Sequence, residues 1–348
     1  MRMSDIIKLG NRKSSATSKY FKGLGLGKRT ARTNRLQMKN IITTEGYGDA
    51  GILAESLYGK IQAEIEAIFA RASIDFEILP PISNLSKLAN ELADLIQRHD
   101  IDIMKLFLKH SDDNYLLSHS VNVTFMAAMV GSWLSYNKSE LTRIIIAAML
   151  HDIGMLKFDD IASLPRRLSK DEKDALSYHI HYSREFTEKI DGIDNTIPDT
   201  VYSHHKRYTD NEKTPSNYAQ IIGIADVFEA MTHPRPYKDV MEPHAAMCSI
   251  IEDLKGDFNS SIIKAFVDNI GIYPVSSWVR LNTKEIALVI DTNSGFPLNP
   301  KVKVILDEKH QRLQNPRIVD LSKQSELSIE NLLDNQTQDT LRSKLLIE

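Results

Sequence analysis

At Ala147-Ala148-Met149-Leu150-His151-Asp152-Ile153-Gly154 the chain sets an imidazole beside a carboxylate at the end of an apolar run. Leu141, Ile144, Ile145 and Ala148 recur at helical spacing before it, and the glycine two residues later marks where a helix would stop. Both polar groups are costly to take out of water, and a divalent metal ion satisfies the two together. Taken alone, the dipeptide has a plainer account: a core histidine hydrogen-bonded next to a capping aspartate. The rest of the chain decides between them.

Further residues of metal-ligand type arrive in order: His119 before this stretch, then His179, His204-His205 and Asp226 after it, each near a helical turn flanked by apolar side chains. A shell of imidazole and carboxylate suits Fe, Mn or Zn, and Asp152 is placed to bridge two ions. Two ions flanking a water lower its pKa and clamp the attacking and leaving oxygens of a phosphoryl group, which is phosphohydrolase chemistry. Cys248 is the only cysteine, so neither an intrachain disulfide nor a cysteine zinc cage is available.

Those ligands need helices to carry them. Leu53, Leu57, Ile61, Ile65 and Ile68 predict an amphipathic helix over 52–71. Pro80-Pro81 breaks the chain before helices over 85–98 and 101–109. Another starts near Tyr115 and runs through His119, Val123, Met126, Met129 and Trp133. Pro165 marks a loop, and Ser169 with Glu172 three residues on forms a capping box opening the helix expected to deliver His179 and His181. Helices over 200–208, 218–231 and 243–254 follow. After Gly271-Ile272-Tyr273-Pro274 the texture turns to short β-branched runs at 278–281, 286–290 and 302–306, with Asn293-Ser294-Gly295 as a turn. This predicts a small antiparallel sheet or barrel of three to five strands over about 275–325, then a polar tail with a short helix.

The 348 residues are 42% hydrophobic, enough for a sizeable core. The longest apolar runs, such as 144–150, fall far short of the roughly 20 residues that cross a bilayer, and no secretory signal pattern is visible. A cytoplasmic protein without a transmembrane segment is expected. Residues 1–40 hold eleven Lys and Arg against Asp5, a net charge of +10, which leaves −13 on the rest of a chain whose total is −3. This basic arm reads as a flexible tail, either simply solvated or touching nucleic acid or an anionic membrane. Its Gly23-Leu24-Gly25-Leu26-Gly27 lacks the spacing and the preceding strand of a phosphate-binding loop.

His119-Ser120-Val121, His151-Asp152-Ile153-Gly154, His179, His204-His205 and the block from Ile221 through Ala225-Asp226-Val227-Phe228-Glu229-Ala230-Met231-Thr232 to Lys238 resemble the HD-GYP family, the branch of the HD superfamily that hydrolyses cyclic di-GMP. The similarity spans about Leu85 to Tyr273, and the closing strands resemble the β extension of many members. The resemblance implies a mainly α fold, an HD-type helical bundle with a small C-terminal antiparallel β extension. The chain then divides into a basic arm (1–40), an N-terminal helical region (41–84), the phosphohydrolase domain (85–273) and the β extension with its tail (274–348).

It further implies hydrolysis of cyclic di-GMP to linear pGpG or GMP by a metal-bridged hydroxide, with His151 and Asp152 at the reacting centre. His151, Asp152, His179, His204, His205 and Asp226 would ligate two divalent ions, Fe or Mn, with Asp152 bridging and His119 lining or ligating. Arg235 and Lys238 would meet substrate phosphates. Three positions depart from the family pattern. Met155 stands where a lysine is usual, leaving Lys157 as the nearest cation. Lys206 to Pro215 replaces the stretch Glu-Arg-x-Asp-Gly-x-Gly-Tyr-Pro, so the GYP loop is degenerate. Tyr115 stands where three-metal members place a glutamate, so two ions are expected. His181, two residues beyond His179, is expected to face elsewhere.

Two alternatives stay open at this point. One is a sensor or interaction module without turnover, docking on a protein partner in cyclic di-GMP signalling. The other is an HD phosphohydrolase for a different nucleotide, with Lys206, Arg207 and Lys213 as an altered pocket rim. The apolar early helices could pair in a homodimer.

Overall fold

The computed structural model describes residues 49–98, 114–162, 164, 166–209, 214–233, 241–333, 337–338 and 341. The basic arm, the helix expected over 101–109, Pro165, Lys213, Arg235, Lys238 and most of the polar tail lie outside the described residues. These form two compact units, one of helices up to residue 265 and one from residue 266 onward.

The first unit opens with α1 (Asp49–Ile74) and α2 (Ile82–Arg98), separated at Pro80-Pro81 as the sequence predicts. Helix α2 is amphipathic and buries one stripe, Leu85, Ala89, Leu92, Ala93, Leu95 and Ile96. Helix α3 (Tyr115–Trp133) is capped by Asn114, whose side chain accepts from the Leu117 N–H. Helix α4 (Lys138–Leu150) starts from a capping box of Asn137 and Glu140. A 3-10 turn (Ile153–Phe158) and the short α5 (Asp159–Ala162) lead to α6 (Lys170–Leu176), α7 (His179–Glu188), α8 (Thr196–Ser203), α9 (Asn217–Thr232) and α10 (Pro243–Glu252). Helices α3, α4 and α9 are apolar on nearly all sides and pack on one another at the centre. No described helix is long and apolar enough to cross a membrane.

Two of the boundaries that move from their expected places bear on the ligands. The Ser169–Glu172 capping box forms, but α6 ends at Leu176, and His179 opens a separate helix. Ser177 causes the break: its hydroxyl takes the Asp174 carbonyl, and the Tyr178 N–H turns back to Ala175. Helix α8 likewise stops at Ser203 rather than near 208, so His204 and His205 stand just past a helix end.

Helix α11 (Ser260–Ile270), not anticipated from the sequence, straddles the limit between the units. The second unit holds β1 (Trp278–Leu281), β2 (Ile286–Asp291), β3 (Lys301–Leu306), β4 (Arg312–Asp320) and β5 (Ile329–Leu332). They form one antiparallel sheet in the order β4-β3-β2-β1-β5, with Trp278 opposite Leu288 and Val302 opposite Val289 and Val319. Alternation puts Val279, Leu281, Ala287, Val289, Val302, Val304 and Val319 into one buried cluster. The fifth strand lies beyond the expected limit of about 325, because its Ile329 and Leu332 are separated by polar residues and give no β-branched run.

Candidate metal centre

The side chains of His119, His151, Asp152, His179, His204, His205 and Asp226 converge from α3, the end of α4, the start of α7, the end of α8 and the middle of α9. Residues separated by more than a hundred positions meet because α3, α4 and α9 pack side by side. Apart from His205, which is partly covered, all are at most 4% exposed.

Three of the histidines are oriented by one local device. Each sits at or just past a helix end, where the last carbonyls have no partner within the helix. His151 Nδ1 lies 2.8 Å from the Ala148 oxygen, His179 Nδ1 2.6 Å from that of Leu176, and His204 Nδ1 2.5 Å from that of Val201. Donation from Nδ1 fixes the tautomer and leaves each Nε2 lone pair facing the centre.

Asp152 stands between two groups of donors. Its Oδ1 is 3.2 Å from His179 Nε2 and 3.7 Å from His204 Nε2, and its Oδ2 is 3.5 Å from both His119 Nε2 and His151 Nε2. The ligand atoms of Asp152, His179, His204 and His205 form one metal-sized cluster, and those of His119, His151 and Asp152 form another. Asp226 also spans both, with Oδ1 3.3 Å from His119 Nε2 and Oδ2 3.4 Å from His205 Nδ1.

The donor set fits divalent ions. His119 Nε2, His151 Nε2, His204 Nε2, His205 Nδ1, Asp152 Oδ1 and Asp226 Oδ2 are buried and make no hydrogen bond, an arrangement costly for a protein unless a cation meets them. Atoms each about 2.1 Å from a common ion stand about 3.0–3.5 Å apart, and the distances found here run from 3.2 to 3.7 Å. Burial lowers the pKa of His151 and His205 and brings His204 down to about 3, so these rings are neutral and able to ligate. Burial opposes ionisation of Asp152 and Asp226 as well, but the facing histidines outweigh it and hold both carboxylates below their usual range. At His119 and His179 burial is likewise outweighed, by Glu229, Asp152 and Asp226 in the first case and chiefly by Asp152 in the second, so both are raised.

Two glycines let the ligand-bearing backbones approach. A Cβ on Gly154 would collide with the carbonyl oxygen of His179, and one on Gly223 would reach within 2.5 Å of that of His204. Helix α4 does end at Leu150, as the position of this glycine suggests, and Gly154 itself serves close packing of the turn on α7.

The other residues singled out in the sequence have surroundings of their own. Lys157 is exposed, its ammonium 4.3 Å from the centre of the Phe76 ring. Met155 is buried in the core. His181 is exposed, its ring 5.1 Å from that of Tyr202, and the Lys206 ammonium lies 5.1 Å from the same Tyr202 ring. Arg207 approaches Asp257 at 3.5 Å. Tyr115 stacks on His119 at 5.5 Å. The sequence reading missed Glu229, whose Oε2 is 2.5 Å from His119 Nδ1; its place one helical turn after Asp226 was the available signal.

Residues 116–231 match the HD domain, and residues 278–340 match the KOW domain associated with HD domain. The chain is similar to cyclic di-GMP phosphodiesterase PA4108 of Pseudomonas aeruginosa, with 25% identity over 278 residues, 78% of this chain and 66% of that protein. It is similar to the cyclic di-GMP phosphodiesterase response regulator RpfG of Xanthomonas campestris pv. campestris, with 29% identity over 138 residues, 36% of this chain and 35% of that one. It is also similar to 3'3'-cGAMP-specific phosphodiesterase 3 of Vibrio cholerae, with 24% identity over 168 residues, 46% of this chain and 36% of that one. The chain thus spans just under two thirds of the first relative's length and about a third of the other two. Among solved structures, Bd1817, a HDG"Y"P protein from Bdellovibrio bacteriovorus, shares the fold with a TM-score of 0.52 at 13% identity, over 66% of this chain and 76% of that one.

Proposed function

We infer, from a chain that carries an HD domain with a KOW domain associated with HD domains behind it, that the protein is a metal-dependent phosphodiesterase which hydrolyses cyclic di-GMP to linear pGpG or GMP. One observation carries this reading: Asp152 belongs to both ligand clusters, with one oxygen turned toward each. A buried carboxylate shared in this way suits a pair of ions and has little use in a merely structural core.

His119, His151 and Asp152 would hold one ion, and His179, His204, His205 and Asp152 the other, with Asp226 reaching both. Fe or Mn suits this imidazole and carboxylate shell. Bound there, the pair would acidify a water and neutralise charge on the phosphoryl oxygens. The chain's own residues prepare for this. The neutral rings of His151 and His204 present lone pairs held in place by their carbonyl partners, and burial keeps bulk water from screening Asp152 and Asp226. Arg235 and Lys238, just after His233, and Lys157 are the cations proposed to meet the substrate phosphates.

The relatives' names support a cyclic dinucleotide as the substrate class and divide between cyclic di-GMP and 3'3'-cGAMP. Met155 favours a second reading, binding without turnover, because an apolar side chain buried where the family pattern has a lysine offers nothing to a phosphate. The deciding experiment loads the protein anaerobically with Fe(II) or Mn(II) and follows hydrolysis of both dinucleotides, with His151→Ala and Asp152→Ala as controls. Turnover that vanishes in the controls is expected. A protein holding two ions that hydrolyses neither dinucleotide would overturn the enzyme reading in favour of the sensor.

A further inference from the structure

His119 cannot be oriented as the helix-end histidines are. It lies in the second turn of α3, where the carbonyls one turn back are already engaged in the helix, that of Leu116 also by the Ser120 hydroxyl at 2.9 Å. An acceptor for its Nδ1 must come from another element, and Glu229 of α9 supplies it. Because Glu229 follows Asp226 by one turn, the two carboxylates face opposite nitrogens of the same ring.

Glu229 is held in turn. Its Oε1 accepts from Asn122 Nδ2 at 3.1 Å and lies 3.5 Å from His233 Nδ1. Asn122 sits one turn beyond His119 on α3, and its Oδ1 accepts from the Tyr58 hydroxyl at 2.8 Å. Tyr58 belongs to α1, which precedes the residues that match the HD domain. All four residues are buried, Tyr58 the most exposed of them at 7%. A continuous buried line of hydrogen bonds thus runs from α1 to a metal-facing imidazole.

We propose that Glu229 is the positioning residue for His119 and that Tyr58, acting through Asn122, holds Glu229 in place, so that helix α1 is a working part of the metal centre. This rests on the metal-centre reading above. A buried carboxylate next to a ligand histidine fixes its tautomer and raises its basicity, and removing such a partner costs about 10–100-fold in metal affinity. A network that only stabilised the fold would change melting without changing the ions.

The test strips the full chain of metal, titrates it with Mn(II) by calorimetry, and separately records the melting temperature of the metal-free protein. The wild type is expected to take two ions. Glu229→Gln should weaken one of them by about 10–100-fold and change the other little. Tyr58→Phe, which removes a single hydroxyl, should weaken the same ion by about fivefold. The histidine 15N spectrum of either variant should change at His119 while His151, His179 and His204 keep their Nδ1–H signatures. Variants that melt earlier yet bind both ions like the wild type overturn the inference. If Glu229→Gln does not fold, Tyr58→Phe decides alone, and an unchanged Mn(II) isotherm counts against it. A wild type that takes up no ion removes the metal reading itself, a result distinct from failure of the network.

Discussion

Replacing Gly154 with alanine should separate the two backbones that bring His179 to Asp152. Gly154 lies in the turn after His151-Asp152, and its N–H donates to Ser183 Oγ at 2.9 Å. The added methyl would collide with the His179 carbonyl oxygen and stand 2.7 Å from the Ser183 nitrogen. These are backbone atoms of α7 and cannot swing aside. Helix α7 would have to retreat on the order of 1 Å to restore normal contact, carrying His179 Nε2 away from its 3.2 Å approach to Asp152. Overpacking costs about 1–3 kcal/mol, and the strained Ser183 hydrogen bond adds about 1 kcal/mol. At about 2–4 °C per kcal/mol for a unit of this size, the metal-free protein should melt roughly 5–15 °C lower and retain less Mn(II). Gly59→Ala is the matched control. Gly59 is exposed inside α1 with nothing within 4 Å of an added Cβ, so the same substitution should there raise stability by about 1 kcal/mol. Scanning calorimetry and metal analysis read both. A Gly154→Ala protein that melts within about 1 °C of wild type and keeps its metal would refute the close-packing argument.

Metal removal should matter as well: at free ion about a hundredfold above Kd, each ion adds about 2.7 kcal/mol, so chelation should lower the melting point by several degrees, and no change would deny the clusters their ions. Acid should strip the ions, since imidazoles ligate only when neutral. The folded-state pKa of His204 lies at about 3, below the ordinary value of about 6.5; this ring therefore favours folding above that ordinary value, and its contribution is lost as pH falls toward about 3. Mn(II) retention should drop as pH falls from about 6.5 toward about 3, and a flat profile would contradict histidine ligation. In the β unit Arg317 makes two 2.9 Å hydrogen bonds to Glu285 and holds that carboxyl below its usual range. A depressed carboxylate stabilises above its unfolded pKa and loses that contribution as pH falls through its folded one. Arg317→Met should thus cost up to about 1 kcal/mol near neutrality and nothing near pH 3; an equal deficit at both pH values would mean lost packing rather than lost charge.

The fold followed local signals where these were strong. The Ser169–Glu172 capping box, the break at Pro80-Pro81 and the β-branched runs of β1 to β3 all formed as read, because each depends on residues within a few positions of one another. Weak local signals failed: β5 has no continuous apolar run, and the break between Leu176 and His179 depends on a serine hydroxyl competing with helix hydrogen bonding.

Residue type and order by themselves singled out the candidate ligands, since carboxylate and imidazole in this succession along apolar helices have few other uses, and the lone cysteine excluded a cysteine cage. Tertiary structure decided which atoms those ligands offer. Asp152 and Asp226 each turn one oxygen to either side only because α3, the end of α4, α7 and α9 meet there. His119 owes its orientation to Glu229, 110 residues away, and Asn122 meets Tyr58 across 64 residues. Beyond the place of Glu229 one turn after Asp226, such pairings have no local signature: a helix specifies its own period and its caps, but the partner on the next helix is chosen by how their buried faces pack.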